Sequence, residues 1–351
     1  MRRRWALLGG LAFATGARAQ PKTDLRTQAR RAALYLRPLY EMYARRFTDT
    51  IELGHKLNAL ARRPEPREGM LEASAWLDLG DEPMFLTLPD MGERFYSAAF
   101  LDPFTDNFAH VSSRLSGAAP KPRMIVGPAW TGDASREVER VRAPSKSVWL
   151  RIHIAFAADD DDDLAEAYRL LSALMLETPD QRNERRILET RELMRYRTYA
   201  PPEPRSDWPA PKREDRFDLF EAGLAMLGEC ALGERDRNLL ADLADLHLHP
   251  GHRFDIRAFS EGERAAIAQG IADAAAELHD KGPALGKTVG GWRYPQANLG
   301  AYGNDDLYRA YIATTSLGAP IPAEMLDLVR ERDGARVRLY APGPELLDLL
   351  K

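Results

Sequence analysis

The spacing of apolar residues changes along this chain, and the change marks two kinds of structure. Across residues 25–60 apolar side chains recur every three or four positions, interrupted by Pro38. That period is typical of an amphipathic helix. Across residues 74–158 they fall instead into short runs, separated by turn signals such as Gly80-Asp81 and Gly127-Pro128. Short apolar runs between glycine and proline turns predict an antiparallel β-sandwich or barrel.

The next part of the chain carries helix start signals. The acidic run at residues 159–163 predicts a helix to about Leu176, because negative charge complements the positive end of the helix dipole. Ser260 and Glu263 have the spacing of a capping box and predict a helix to His279. Thr178 and Gln181 have the same spacing and predict a helix over residues 178–196. Two further helices are predicted over residues 217–231 and 235–246, and a proline-rich linker over residues 200–212.

The last part of the chain is predicted to contain few strands. We expect a loop, a helix over residues 305–317 and a strand over residues 337–340, which alternates in polarity. The predicted fold is therefore α+β: an antiparallel β-sandwich, a helical middle segment and an incomplete second β domain. The predicted boundaries are 1–19 for a signal peptide, 20–66 for an N-terminal helical segment, 67–158 for the sandwich, 159–285 for the helical region and 286–351 for the truncated C-terminal domain.

The first nineteen residues resemble a secretory signal peptide. Arg2, Arg3 and Arg4 precede an apolar run that ends in Ala17-Arg18-Ala19, a small-residue cleavage pattern. We therefore expect cleavage before Gln20 and a periplasmic or secreted protein. The arginine pair also permits the twin-arginine export route, although the residues after Arg4 match its usual pattern poorly. The alternative is a short buried N-terminal helix.

Composition excludes several classes of protein. Apolar residues make up 44% of the 351-residue chain, enough for a core, and no stretch of eighteen apolar residues exists to span a bilayer after signal cleavage. The 49 basic and 53 acidic residues give no basic excess for nucleic acid. The single cysteine, Cys230, cannot form an intramolecular disulfide, and its place in an apolar helical stripe favours an inert buried thiol over a nucleophile.

Known catalytic motifs are missing from the sequence. It contains no nucleophile elbow, Walker loop, H-E-x-x-H helix, paired C-x-x-C or dinucleotide-binding glycine pattern. His247, His249 and His252 are the strongest metal-ligand candidates, but Pro250 and Gly251 favour a surface turn, and no carboxylate or thiol has a diagnostic spacing. We therefore predict no metal and no cofactor.

Two segments combine aromatic walls with a few polar groups, a composition typical of small-molecule pockets. They are residues 95–114 and 291–309. The alternative is that arginine and aspartate pair to tie loops onto the sandwich while the aromatic rings fill its edge. The candidate ligand-binding residues are Trp76, Tyr96, Asp102, Arg114, Arg293, Tyr302 and Asp305.

The order of several motifs resembles a known bacterial family. The earlier motifs include Ser74-Ala75-Trp76-Leu77-Asp78-Leu79, Leu88-Pro89-Asp90, Ile125-Val126-Gly127-Pro128 and Val148-Trp149-Leu150. The later ones include Gly291-Trp292-Arg293-Tyr294-Pro295 and Tyr302-Gly303-Asn304-Asp305. The first set resembles the domain of unknown function 1254, and the second resembles its usual companion, the domain of unknown function 1214. The resemblance implies two jelly-roll-like β domains bridged by helices, in exported proteins of no established activity.

Two departures from the family pattern affect the functional interpretation. Residues 68–73 read Glu-Gly-Met-Leu-Glu-Ala where the family usually shows an Asn-x-Asp-Thr-x-Tyr signature, and the family continues with further strands beyond the position of Lys351. We therefore favour a non-catalytic periplasmic small-molecule-binding or envelope protein. The alternative is a hydrolase or lyase for a carbohydrate-like or anionic molecule, with Asp102 or Asp106 as acid or base and Arg114 and Arg293 holding an anionic group. We also expect self-association through the shortened C-terminal region, because unpaired strand edges recruit other chains.

Overall fold

The computed structural model describes residues 24–67, 69–80, 82–133, 136–190, 209–330 and 332–350. The predicted signal peptide and most of the predicted proline-rich linker lie outside these ranges. Within them the protein is a mixed α/β structure with several antiparallel sheets. No helix of the described ranges is both long and apolar enough to cross a membrane.

The N-terminal helix, α1, spans Leu25–Phe47 and lies against the helices of the middle region rather than against the sandwich core. It begins where the Asp24 side chain accepts a hydrogen bond from the backbone N–H of Thr27, at 3.0 Å. The prediction that this helix extends to residue 60 is wrong, because regular helix ends at Phe47 and one π-helical turn, Thr48–Glu52, follows it.

Helix α1 packs on three later helices: α5 at Asp218–Leu227, α7 at Glu261–Lys281 and α8 at Asp306–Thr315. Gly270 of α7 permits the close approach, since a Cβ there would lie 2.2 Å from the carbonyl oxygen of Arg26. The predicted capping box of α7 is confirmed, because Ser260 and Glu263 each accept a hydrogen bond from the other's backbone N–H. The remaining helices are α2 at Ser113–Ser116, α3 at Asp161–Ala173, α4 at Pro179–Thr190, α6 at Glu234–Asp242 and α9 at Pro344–Asp348.

Nine strands form the β domain. They are β1 Ala61–Arg62, β2 Met70–Asp78, β3 Met84–Thr87, β4 Tyr96–Leu101, β5 Asn107–Ser112, β6 Arg123–Val126, β7 Glu139–Arg142, β8 Ser147–Ala155 and β9 Met175–Glu177. One sheet has the order β1-β2-β8-β4-β5 and the other β7-β6-β3-β9. All pairs are antiparallel except β6 with β7.

The two sheets share one apolar core with helix α3. Leu71 and Leu77 of β2, Ile152 of β8, Leu86 of β3 and Leu170 of α3 are buried together in it. The predicted sandwich therefore corresponds to two sheets with a common core, although β1 and β9 lie outside the predicted range of 67–158. The jelly-roll connectivity stays a prediction.

The C-terminal region contains more strands than predicted. A four-stranded antiparallel sheet is formed by β10 Lys287–Val289, β11 Trp292–Tyr294, β12 Met325–Arg330 and β13 Arg336–Tyr340. Only β13 was expected. Gly290 and Gly291 both have positive φ, at 57° and 80°, and they form the tight turn between β10 and β11, where the sequence predicts a loop. Leu346 of α9, and Leu349 and Leu350 just after it, pack against apolar residues of this sheet.

Candidate functional site

The two faces of the paired strands β2 and β8 have different chemistry. Residues alternate across a strand, so one face supplies the aliphatic core of the sandwich. The opposite face carries three directly paired positions: Glu72 with His153, Ser74 with Arg151, and Trp76 with Trp149. Of these side chains, Glu72, Arg151 and His153 form the wall of a cleft between the β domain and the C-terminal region, whereas Trp76 packs in the core with helix α1.

Arg151 is held in place by the C-terminal region. Its Nη1 donates a hydrogen bond to the carbonyl oxygen of Gly318 at 2.5 Å, and its guanidinium lies 5.1 Å from the centre of the Trp149 ring. Gly318 has φ +77°, and a Cβ there would lie 2.6 Å from Trp149 and 3.0 Å from Arg151 Nη1. The loop after α8 therefore needs a glycine to reach this arginine. Burial lowers the pKa of Arg151, but a guanidinium keeps its proton in proteins.

His153 lies beside Arg151 and Glu72 on the same face. Its Nε2 is 3.8 Å from a carboxylate oxygen of Glu72 and 3.4 Å from Nη2 of Arg151. Burial, and then the charges of Arg151, Arg338 and Arg63, hold the pKa of His153 well below its usual range. The imidazole is therefore neutral at pH 7.

Two cavities adjoin at this wall and share Glu72, Arg151, His153 and Leu317. The first, which we call the C-terminal cavity, has a volume of about 430 Å³ and lies between β2, β8, helix α8 and the C-terminal sheet. The second, the arginine cavity, has a volume of about 380 Å³ and lies between β1, β2, β8 and the end of α1. Together they form the cleft.

Arginines dominate the charge of the cleft. Eight arginines line it, against two carboxylates, Glu72 and Asp327, among the described lining residues. The arginines are Arg45, Arg62, Arg63 and Arg67 in the arginine cavity, Arg293, Arg336 and Arg338 in the C-terminal cavity, and Arg151 in both. This excess is local, because the whole chain has a formal net charge of −4. The cleft therefore has the electrostatic character of an anion site.

Some of these arginines are neutralised and others are not. Arg338 makes a two-point contact with Asp327, at 2.6 and 3.0 Å, and Arg63 lies 3.5 Å from Glu72. Arg62 instead donates to the carbonyl oxygens of Leu171 and Leu174, at 3.0 and 2.9 Å. Like Arg151, it is bonded to neutral oxygens. Arg45 forms an ion pair with the buried Asp49 at 2.9 Å. Positive charge therefore remains in the arginine cavity at Arg62 and Arg151.

The structure places the predicted residues Trp76 and Tyr96 in packed interiors. Trp76 stacks on Trp149 with an interplanar angle of 3° and donates its indole N–H to Asp49 at 2.9 Å. Tyr96 is fully buried, and its hydroxyl donates to the carbonyl oxygen of Gly117 at 2.7 Å. Burial raises the pKa of Tyr96 to about 12. Neither residue lines the cleft.

Asp102 and Tyr302 lie near each other in a polar cluster that joins the β domain to the C-terminal region. Asp106 accepts from the backbone N–H of Tyr302 at 2.9 Å and from Arg309 at 2.8 Å. Asp102 accepts from the backbone N–H of Asp106 at 3.0 Å. Burial, and then the charge of Asp106, raise the pKa of Asp102 to about 7. We call Asp102, Asp106, Tyr302 and Arg309 the interdomain tie.

The other three predicted residues have different surroundings. Arg114 forms an ion pair with the buried carboxylate of Glu324. Asp305 caps helix α8 by accepting from the backbone N–H of Tyr308 at 3.0 Å. Arg293 is the one predicted residue that lines the cleft. Asp102, Arg114, Arg293 and Asp305 therefore do not share this cavity.

The histidine segment forms a turn. His247 has φ 52° at the end of a short 3-10 helix, and the rings of His249 and His252 lie 6.3 Å apart. Within the described ranges, no group of three or more histidine, cysteine, aspartate or glutamate side chains could hold a metal ion. Burial raises the pKa of the Cys230 thiol, which disfavours the reactive thiolate.

Sequence reasoning missed Arg151 and His153, although β8 contained a signal for them. Its sequence alternates Val148, Trp149, Leu150, Arg151, Ile152 and His153, so every second residue leaves the core face. A tryptophan, an arginine and a histidine on the outer face of a central strand are unusual for a solvated surface. They indicate that a further layer covers that face.

A comparison with known protein families agrees with the first of the two sequence resemblances, the one to the domain of unknown function 1254. Residues 56–178 match the family described as protein of unknown function (DUF1254). The fold is similar to the crystal structure of the VPA0106 protein from Vibrio parahaemolyticus, with a TM-score of 0.69 and 19% sequence identity, over 86% of this chain and 70% of that one. No curated protein matches the sequence. The matched segment contains β2 and β8, which carry Glu72, Arg151 and His153.

Proposed function

We propose that this protein is a non-catalytic binding protein that holds an anionic small molecule in the cleft. The observation that carries the proposal is the excess of eight arginines over two carboxylates around two adjoining cavities of a chain with negative net charge. Buried cations without a charged partner are costly, and an anionic ligand would offset that cost. Both cavity volumes fall within the range of about 300–1,000 Å³ typical of small-molecule sites.

Charge compensation explains why Arg151 and Arg62 are the expected anchors. Both guanidiniums donate to backbone carbonyls, which fixes their positions without neutralising them. An anion that replaces water at these groups forms charge-assisted hydrogen bonds, which are stronger than bonds between neutral groups. The packing of Arg151 between Trp149 and Gly318 also means that it needs little reorganisation on binding.

The titratable groups of the site favour binding over acid–base chemistry. A general base is most effective when its pKa lies near the working pH, and the pKa of His153 is held well below its usual range. The pKa of Asp102 is about 7, but Asp102 and Asp106, the acid–base candidates of the enzymatic alternative, do not line the cleft and are bonded within the interdomain tie. These contacts support a structural role for the two carboxylates.

The proposal includes export to the periplasm, on the strength of the signal-like residues 1–19. Expression of the full chain with a C-terminal tag, followed by fractionation and N-terminal sequencing, tests this part. We expect a periplasmic protein that begins at Gln20. Retention of residues 1–19 on a cytoplasmic protein would contradict it.

A thermal-shift screen tests binding itself. Because a ligand stabilises the folded state by mass action, sulfate, phosphate and organic acids should raise the melting temperature, whereas neutral sugars should not. The substitution Arg151→Gln should weaken the binding of the best anion about tenfold, since it removes a charge-assisted hydrogen bond. Arg140→Gln is the matched control, because Arg140 is an exposed arginine on β7 in the other sheet. Stabilisation by neutral sugars alone, or equal effects of the two variants, would contradict the proposal.

A further inference from the structure

The two cavities of the cleft differ in the chemistry of their walls. Apolar side chains line much of the C-terminal cavity: Leu285, Tyr294, Leu299, Tyr311, Ile312 and Val329. They come from helix α8, from strands β11 and β12, and from the loops beside them. The arginine cavity is instead lined by Arg62, Arg63, Arg67 and His55, beside Glu72 and several apolar residues. A cavity with a large apolar wall, which also carries Arg293, Arg336 and Arg338, therefore adjoins a more strongly polar one.

Arg151 lies at the boundary between these cavities. It lines both cavities, and the hydrogen bond from its Nη1 goes to a carbonyl oxygen. On the C-terminal side the nearby Arg338 is already paired with Asp327 in a two-point contact. An anionic group at the boundary would therefore meet the positive charge of Arg151, while any apolar part attached to it would fit the C-terminal cavity.

We infer that the ligand is an amphipathic organic acid, with its carboxylate at Arg151 and its apolar chain or ring in the C-terminal cavity. This inference rests on the proposed function and narrows it. A purely inorganic anion would leave the apolar wall in contact with water, whereas each buried methylene strengthens binding about fourfold. A neutral apolar molecule would leave Arg151 with Glu72 as its nearby negative charge, a carboxylate that is already shared with Arg63.

Isothermal titration calorimetry with octanoate, acetate and sulfate tests this inference on the purified protein. We expect octanoate to bind at least about 100-fold more tightly than acetate, because its chain adds six methylenes. We also expect a negative change in heat capacity for octanoate, which marks the burial of apolar surface. Equal affinities for octanoate and acetate would overturn the inference.

A variant of the apolar wall provides a second, independent readout. Ile312 is half-buried on α8 and lines the C-terminal cavity, so Ile312→Gln should weaken octanoate binding about tenfold and lower the ratio of octanoate to sulfate affinity. Ile187→Gln is the matched control, because Ile187 is an exposed isoleucine on helix α4 and is 52% exposed. Equal octanoate affinity in the two variants would overturn the inference.

The same titrations distinguish a failure of the amphipathic-ligand inference from a failure of the proposed anion-binding function. If sulfate binds and depends on Arg151 while octanoate gains nothing from its chain, the anion site stands and the amphipathic ligand is wrong. If neither sulfate nor octanoate binds, the proposed function fails and the inference fails with it.

Discussion

Arg309 and Arg151 are both enclosed near the C-terminal region, but they differ in what compensates their charge. Arg309 is 4% exposed. It donates hydrogen bonds to Asp106 at 2.8 Å and to the carbonyl oxygen of Gly303 at 3.0 Å. Arg151 has a carbonyl oxygen as its hydrogen-bond acceptor and a tryptophan ring at its side. The first arginine closes the interdomain tie, and the second leaves positive charge facing a cavity.

This difference shows why residue content alone does not identify a site. The interdomain tie is rich in aromatic, acidic and basic residues, the composition that suggested a pocket, yet its groups bond to one another and to backbone. The residues of the cleft stand out less in the sequence, but the cleft is lined by more arginines than carboxylates. Charge compensation therefore separates a structural cluster from a binding site more reliably than the density of polar and aromatic residues.

The largest expected effect concerns the pH dependence of stability, through Asp102 in the interdomain tie. The pKa of its carboxyl is about 7 in the folded protein, compared with about 3.9 when unfolded. Between these values the folded protein holds a proton that the unfolded chain has lost. Its contribution to stability is therefore fully present below about pH 4 and is lost as the pH rises through 7, a change of about 4 kcal/mol.

The substitution Asp102→Asn should remove this dependence, because an amide oxygen can still accept the Asp106 N–H but does not titrate. Urea unfolding of both proteins from pH 4 to pH 8 provides the measurement. As the pH rises, the free energy of unfolding of the Asn variant should increase relative to that of the wild type. Parallel stability curves would contradict the assignment of Asp102 to a closed cluster.

The next largest effect is expected from Arg309→Met. This change keeps an unbranched side chain but leaves Asp106 without its cation, so the free energy of unfolding at pH 7 should fall by about 3 kcal/mol. Sulfate affinity, measured on the folded variant, should stay within about twofold of the wild type. If this variant weakens sulfate binding as much as Arg151→Gln does, the distinction between tie and site is wrong.

A smaller effect is expected where the cleft depends on a glycine. Gly318→Ala places a Cβ against Trp149 and Arg151, whereas Gly92→Ala, at φ +58°, places one in open space. Both substitutions strain a left-handed backbone, so the difference between their losses of unfolding free energy measures the effect of the contact with Trp149 and Arg151. We expect Gly318→Ala to cost about 2 kcal/mol more in unfolding free energy and to weaken anion binding as well. Equal costs and equal affinities would show that this loop does not position Arg151.

Local signals predicted much of the fold. The capping residues Ser260 and Glu263, and the pair Thr178 and Gln181, lie three positions apart in the chain, and the structure shows both sets of reciprocal bonds. The short apolar runs between turn signals predicted the β domain for the same reason. Such features depend on residues that are close in the sequence, so the amino-acid sequence alone is enough to recognise them.

The site could not be predicted in the same way, because it joins distant parts of the chain. Arg151 meets the carbonyl of Gly318 across 167 positions, and Asp106 meets Arg309 across 203. Strand β12 was missed as well, since its six residues show no clear alternation and become a strand by pairing with β13. Three-dimensional proximity, rather than residue type, determined which arginines were neutralised.

The most direct test of the account is a crystal structure of the protein soaked with selenate, whose anomalous scattering locates the anion without ambiguity. The account predicts a selenate ion in hydrogen-bond contact with the guanidinium of Arg151 and none at Arg309, where Asp106 already supplies the negative charge. Loss of that ion in Arg151→Gln crystals, and its retention in Arg140→Gln crystals, would complete the comparison. A cleft without selenate, or a selenate ion at Arg309, would contradict the central claim.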